Sequence, residues 1–526
     1  MTELIRTELQ GDGILVATID MPGRTMNVFS EALMDALDAV IARVETDDAV
    51  LGAVLASGKP SFLAGADLPM VRAMTERAAT DTREGMFAFC GRLGRQFLRI
   101  EECAKPWVAA VAGTALGGGL ELAMACRARL VDTTAGAQIG LPEIKLGLLP
   151  GAGGTQRLPR LVGLALGLDM LLSGRSIDPD AAVSAGLFEA APSGVALLDA
   201  ARARLHALRT SGPYVAEAKF AQARLDCPPD DEASVREIAH AHRIDDATLR
   251  DYPAYRTIIR CVLGGAGLDL AAGTSLEMTR FLDLMYDPVA GNMISTLFIE
   301  RQRVEKAASA RGLPRPVSLR HGKLGPAVGD WPRLLARSGA STREDPSIGA
   351  GGMVLEAEGD LQVPIVVRCV GAQASRDDEA RAAPVLVLSP RSPYGRVVEI
   401  ITGAHAPHAG AVGALRSLAA SLRCLPLVTA GEDSLLDALA LAGEPGGDAP
   451  LRATALVAAK WATARSDADL RALDVVSVLG GLAPAFSGGP LTYAWQHWAE
   501  IGQALADALG EAAGPFEQRM KRAFGT

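Results

Sequence analysis

With 526 residues, 49% of them hydrophobic and a mean hydropathy of +0.19, the chain is too long for one ordinary core and too apolar for disorder; its length points to roughly three domains. A formal charge of −9 argues against nucleic acid or an anionic membrane as the main partner. Seven scattered cysteines with no Cys-x-x-Cys pair argue against structural zinc or a disulfide framework, and for a reducing compartment.

The first ten residues carry acidic side chains and no apolar core, so no signal peptide is expected, and no uncharged apolar run is long enough to span a bilayer. The final Ala523-Phe524-Gly525-Thr526 is no peroxisomal address. The expectation is a cytoplasmic, membrane-free protein. Only 4% of residues are aromatic while 56 are glycine, which predicts close backbone packing and tight turns.

Strand and helix signals alternate in the first part. Ile14 to Ile19 is a short, partly β-branched apolar run that predicts a strand. Ser30 is placed to cap a helix with Leu33, Leu37, Val40, Ile41 and Val44 on one face. Gly52 to Leu55 and Trp107 to Val111 predict further strands, and the alternation predicts an α/β domain with its ligand site at strand ends. From Pro192 to Leu313 the segments become long, charged and helical; Leu276 to Ala308 is the clearest, with Pro288 breaking or kinking it. Pro314 to Arg381 offers few strand candidates, chiefly Val363 to Val370, interrupted by Pro364, and Val385 to Leu388. The remainder is Ala- and Leu-rich and predicted mostly helical.

Two glutamates stand in glycine-marked turns. Glu121 follows Leu116-Gly117-Gly118-Gly119-Leu120, and Glu143 lies in Gly140-Leu141-Pro142-Glu143-Ile144-Lys145. The glycines let a substrate approach the backbone, and N–H groups at a helix start suit a negatively charged oxygen. A second loop, Phe62-Leu63-Ala64-Gly65-Ala66-Asp67-Leu68, is placed to offer another N–H. Two carboxyl groups in different environments divide into acid and base, and two donors on one carbonyl oxygen stabilise an enolate, each worth on the order of 3–4 kcal/mol of barrier. A thioester, with its acidic α-proton, suits this arrangement.

In combination and order, Ser57-Gly58-Lys59 with Phe62 to Leu68, Gly113 to Ala123, and Leu141 to Arg157 resemble the crotonase (enoyl-CoA hydratase/isomerase) superfamily. More weakly, the whole chain resembles the α-subunit of bacterial multifunctional fatty-acid oxidation enzymes through Leu276 to Leu282, Asn292 to Phe298, Ser389-Pro390 with Val397 to Ile400, and Phe486 to Tyr493. The resemblance implies a crotonase-like ββα superhelix over residues 1–195 and a helical linker over 196–313. It then implies a contracted remnant of a dinucleotide-binding domain over 314–383 and a helical dehydrogenase C-terminal-like domain over 384–526.

The resemblance also implies roles. The backbone N–H groups of Ala66 and Gly118 form the oxyanion hole. Glu143 donates a proton to C2, and Glu121 deprotonates the water that adds to C3. Ala64, Gly65, Asp67, Leu68 and Gly117 bind the coenzyme A thioester, with the base near Arg24 to Met26. Keeping both glutamates favours an enoyl-CoA hydratase without metal or redox cofactor over an isomerase or lyase on an unusual acyl-CoA, or a non-catalytic subunit. A homo-oligomer or a thiolase is the implied partner beyond acyl-CoA.

The back half departs from the pattern. The only glycine string, Gly349-Ala350-Gly351-Gly352-Met353-Val354, has Val354 where a third glycine is needed and no strand before it. The family's catalytic histidine aligns with Leu386, a glycine motif has become Ala430-Gly431-Glu432-Asp433-Ser434, and Glu399 is left with no histidine to polarise. NAD is therefore not expected. Simpler readings cover the rest: Asp67 as a helix-start residue, Cys126 as core, His405 and His408 as solvated loop histidines, and Trp495 with Trp498 as a packing face. Gly151 to Gln156 shapes the turn after Glu143, and Arg127, where relatives carry an acid, changes packing or subunit contacts.

Overall fold

A computed structural model describes residues 3–134, 136–210, 225–309, 312–322, 329–336, 340–348, 352–358, 361–372, 383–402, 409–429, 433–443, 450–465 and 469–525. The side chains of Leu68, Arg72 and Pro364 are outside that description. The chain divides into two units, Met1–Gly291 and Asn292–Thr526.

In the first unit the strands are β1 (Ile5–Leu9), β2 (Ile14–Ile19), β3 (Gly52–Ser57), β4 (Trp107–Val111), β5 (Ala115–Leu116), β6 (Ala128–Val131), β7 (Ile139–Gly140) and β8 (Glu189–Ala190). Six form one sheet in the order β1-β2-β3-β4-β6-β8, in which only the β1–β2 pair is antiparallel. Parallel strands covered on both faces read as unbroken apolar runs, and every residue of β4 is buried. The predicted helix forms as Glu31–Thr46, with the Ser30 hydroxyl accepting from the Leu33 N–H at 3.2 Å.

The helices from Leu197–Thr210 to Leu270–Met285 belong to this same unit. Ala200, Ala201 and Leu205 of the helix Leu197–Thr210 share a core cluster with Ile14, Val54, Val108 and Leu130. The helices Pro253–Gly265 and Leu270–Met285 carry Gly265 and Gly273 against the buried Gln156 side chain. At Gly265 a Cβ would stand 2.0 Å from Gln156 Oε1, so only glycine permits that approach. Pro288 opens a new helix, Pro288–Met293, at the first helical position, where its missing N–H costs nothing.

The second unit corrects the expectation of a mostly helical back half. Strands β9 (Pro316–His321), β10 (Ser341–Glu344), β11 (Gly352–Ala357), β12 (Leu361–Cys369), β13 (Val385–Leu388), β14 (Val397–Ile401) and β15 (Leu425–Thr429) form one mixed sheet, ordered β10-β9-β11-β12-β13-β14-β15. The helix Ala409–Ser421 covers it, placing Leu415 and Leu418 in a core with Leu319, Trp331, Met353 and Leu386. The expected boundary between residues 383 and 384 is crossed by the parallel β12–β13 pairing that begins at Val366 and Val385. Pro364 precedes that pairing, where a missing N–H is tolerated. Among the described residues the last part is helical throughout, from Leu435–Ala442 to Ala513–Phe524, around Leu439, Leu473, Leu491 and Phe516.

Because Leu205 is fully buried against the first sheet, Leu205→Ala is expected to lower the stability of that unit by about 2–5 kcal/mol. Urea denaturation of the full chain checks this; an unchanged first transition would contradict the placement of the helix.

Candidate active site

The strand β5 leads into Gly117, whose φ of +55° and ψ of −130° are open to glycine alone, and the helix Gly118–Ala125 starts at the next residue. The chain from Phe62 to Ala66 runs beside it: the Leu116 N–H donates to the Leu63 carbonyl at 3.0 Å, and a Cβ on Gly117 would lie 3.6 Å from Gly65 Cα. The N–H groups of Ala66 and Gly118 donate to no group among the described residues. Two loops in contact thus each keep one donor for an outside acceptor.

Glu121 lies on the first turn of that helix and is 2% exposed. Its Oε1 accepts from the N–H groups of Ala152 and Gly154, both at 2.8 Å. Glu143 opens a short 3-10 turn, Glu143–Leu146. Its Oε1 approaches to 2.8 Å of where a Gly117 Cβ would stand, while its enclosed Oε2 has no partner among the described residues. Both carboxyls are raised above their ordinary pKa, first by burial. In Glu121 the two amide N–H groups and the Arg157 guanidinium oppose the rise. In Glu143 the neighbouring Glu121 adds to it, and the shift is large. Of the two, the Glu143 carboxyl is raised the more strongly.

The loop that serves Glu121 is itself held from two sides. Arg157, fully buried, donates to the Ala152 carbonyl at 2.7 Å and pairs with Glu101 at 2.9 Å. Glu277, from the helix Leu270–Met285, accepts from the N–H groups of Gly153 and Thr155 and from the Thr155 hydroxyl. Successive amides therefore alternate between two buried carboxyls at the start of the helix Gly154–Val162, where the helix dipole favours negative charge.

The enoyl-CoA hydratase/isomerase family profile matches residues 10–241. Residues 10–241 are thus similar to the enoyl-CoA hydratase/isomerase family. The fatty acid oxidation complex subunit alpha of Idiomarina loihiensis is 36% identical over 329 residues, covering 60% of this chain and 44% of that protein. The namesake from Shewanella frigidimarina is 33% identical over 313 residues, covering 58% and 42%. The chain spans less than half the length of these curated relatives. An enoyl-CoA hydratase structure from Geobacillus kaustophilus is 24% identical with a TM-score of 0.35, covering 57% of this chain and 95% of that one.

The domain brings together the residues the sequence singled out. Glu121, Glu143, Gly117, Gly118, Ala64, Gly65 and Ala66 lie on the two adjoining loops and the short turn described above. Asp67 caps the helix Leu68–Ala78 by accepting from the Met70 N–H and pairs with Arg24 at 2.9 Å, which supports the helix-start reading. Cys126 is buried, its thiol 3.6 Å from the Leu122 carbonyl. Gly151 to Gln156 does more than shape a turn, because it supplies the amides that hold both Glu121 and Glu277. Glu277 escaped the sequence reading altogether. Its signal was an acid on the apolar stripe of Thr274, Met278, Phe281, Leu282 and Met285.

In the second unit, Leu386 is fully buried on β13, and Gly352–Ala357 is a strand paired antiparallel on both sides. Glu399 accepts from the Thr429 and Ser434 hydroxyls and the Leu435 and Leu436 N–H groups, anchoring the helix that follows. Trp495 and Trp498 pack at 5.9 Å between ring centroids against the terminal helical core. Gly349 to Gly351, His405, His408 and Ala430 to Glu432 lie outside the described residues.

In the role of proton donor that the sequence resemblance implies, Glu143 would act only while it holds its proton. Turnover is therefore expected to persist well above the usual carboxylate range and to fall as pH rises through the elevated Glu143 pKa. A pH–rate profile with no alkaline fall, or a fall that survives Glu143→Gln in the residual activity, would contradict the assignment.

Proposed function

We propose that the first unit is an enoyl-CoA hydratase that adds water to a trans-2-enoyl-CoA to give a 3-hydroxyacyl-CoA. The observation that carries this reading is the unequal pair: a buried carboxylate held by two amides beside a buried carboxyl with an unpartnered oxygen. The thioester oxygen binds between the Ala66 and Gly118 N–H groups. Glu121 removes a proton from water as its oxygen bonds to C3, the C2–C3 π electrons move into the enolate, and Glu143 delivers its proton to C2. The oxyanion hole contributes roughly 3–4 kcal/mol per donor, and proton transfer roughly 10²–10⁴-fold. Ala64, Gly65, Asp67, Leu68 and Gly117 surround the thioester end of coenzyme A in this reading.

The hydratase reading extends to no dinucleotide chemistry in the second unit. Leu386 in place of a histidine, a strand in place of the third-glycine turn, and a Glu399 committed to a helix start support that view. A cytoplasmic setting is supported by seven free thiols. Among the described residues no helix is long and apolar enough to cross a membrane. A homo-oligomer or a thiolase partner rests on the resemblance alone.

Loss of enoyl-thioester absorbance with crotonyl-, longer-chain and aryl-substituted substrates tests the reading, with heavy-oxygen water labelling the C3 hydroxyl. Glu143→Gln is expected to lower kcat by about 10²–10⁴-fold with an unchanged fold. Double-bond migration without label uptake, or unchanged turnover in the variant, would overturn it.

A further inference from the structure

We propose that Glu277, which lies outside the family-matched segment, is a positioning residue for Glu121, acting through the loop Gly151–Thr155; this rests on the hydratase reading. Residue 277 lies 36 positions beyond the matched segment's last residue, 241, yet its side chain is fully buried and spans the far face of the loop that serves Glu121. Consecutive peptide groups here face opposite ways. Fixing the Gly153 and Thr155 N–H groups on Glu277 leaves those of Ala152 and Gly154 aimed at Glu121 Oε1. Gly153, at a φ of +97°, supplies the backbone turn that makes the alternation possible.

The Glu277 carboxyl faces the loop, with its oxygens on the Gly153 and Thr155 N–H groups and the Thr155 hydroxyl. Glu121, Glu143, Arg157 with Glu101, and Cys261 behind Thr155 are the titratable groups around it. Burial, then Glu121, raises Glu277 to about 8, and the three donors that face its oxygens oppose the rise. Glu277 holds the loop by its two oxygens. A glutamine presents one acceptor and one donor to the same N–H groups, so one amide of the loop loses its partner whichever way the side chain turns.

Three variants test the proposal. Glu277→Gln is expected to lower kcat by up to about 100-fold, the cost of a roughly 1 Å misplacement, with KM changed less than about threefold, since the oxyanion loops are untouched. Because the Ala152 and Gly154 hydrogen bonds lower the Glu121 pKa, loosening them raises it, and the acid limb of the pH–rate profile moves to higher pH. Thr155→Val removes one of the three donors and should move that limb the same way by less, which keeps the test open if Glu277→Gln does not fold. Met278→Ala, which thins the packing of the same helix, should leave the limb in place. An unmoved limb in both network variants, or an equal shift in Met278→Ala, overturns the proposal. Amide hydrogen exchange at Ala152 and Gly154, faster in Glu277→Gln than in the native protein, checks it without any turnover: unchanged exchange sinks the role of Glu277, whereas a native protein that hydrates no enoyl thioester sinks the hydratase reading alone.

Discussion

Four consecutive N–H groups, from Ala152 to Thr155, are shared between two buried carboxyls, and the site is built outward from that sharing. A buried carboxylate without donors costs several kcal/mol, so the loop decides where negative charge is tolerated. Glu121 has two amides and the nearby Arg157, while Glu143 has an oxygen with no donor among the described residues. The difference in hydrogen bonding, not in residue type, sets the two carboxyls apart. Arg157 balances the account: paired with Glu101, it fixes the Ala152 carbonyl and adds positive field without neutralising Glu121 outright.

Buried acids anchoring helix starts recur elsewhere in the chain. In the second unit Glu399 receives the first amides of Leu435–Ala442, and Asp474 receives the Leu491 and Thr492 N–H groups and the Thr492 hydroxyl at the start of Pro490–Gln496. Burial raises the Asp474 carboxyl to about 7. These carboxyls spend their hydrogen bonds on the fold. Glu121 differs in keeping one oxygen clear of the loop.

What the sequence made legible follows from range. Ile14 to Ile19 and Trp107 to Val111 are apolar runs buried in parallel strands, and the Ser30 cap acts over three residues. Glu121 and Glu143 each sit beside their glycines. Glu277 reaches Gly153 across 124 positions, and no local pattern encodes that contact. In the second sheet, the candidates Val363 to Val370 and Val385 to Leu388 form β12 and β13, while its edge strands are hidden for a related reason. Strand β10, Ser341–Glu344, is exposed throughout and β9 carries Ser318, Arg320 and His321, so neither shows the apolar alternation of an ordinary strand; β11 pairs with β9, and β9 with β10. In β11 the alternation of Met353, Leu355 and Ala357 is short and begins inside the glycine string Gly349 to Val354, which obscures it.

The central claim is that at neutral pH Glu143 carries a proton while Glu121 does not. Infrared difference spectroscopy of the native protein against Glu143→Gln and Glu121→Gln measures this directly. A protonated-carboxyl carbonyl band should vanish in Glu143→Gln and persist in Glu121→Gln. Loss of that band in Glu121→Gln alone would place the proton on the wrong glutamate and contradict the account.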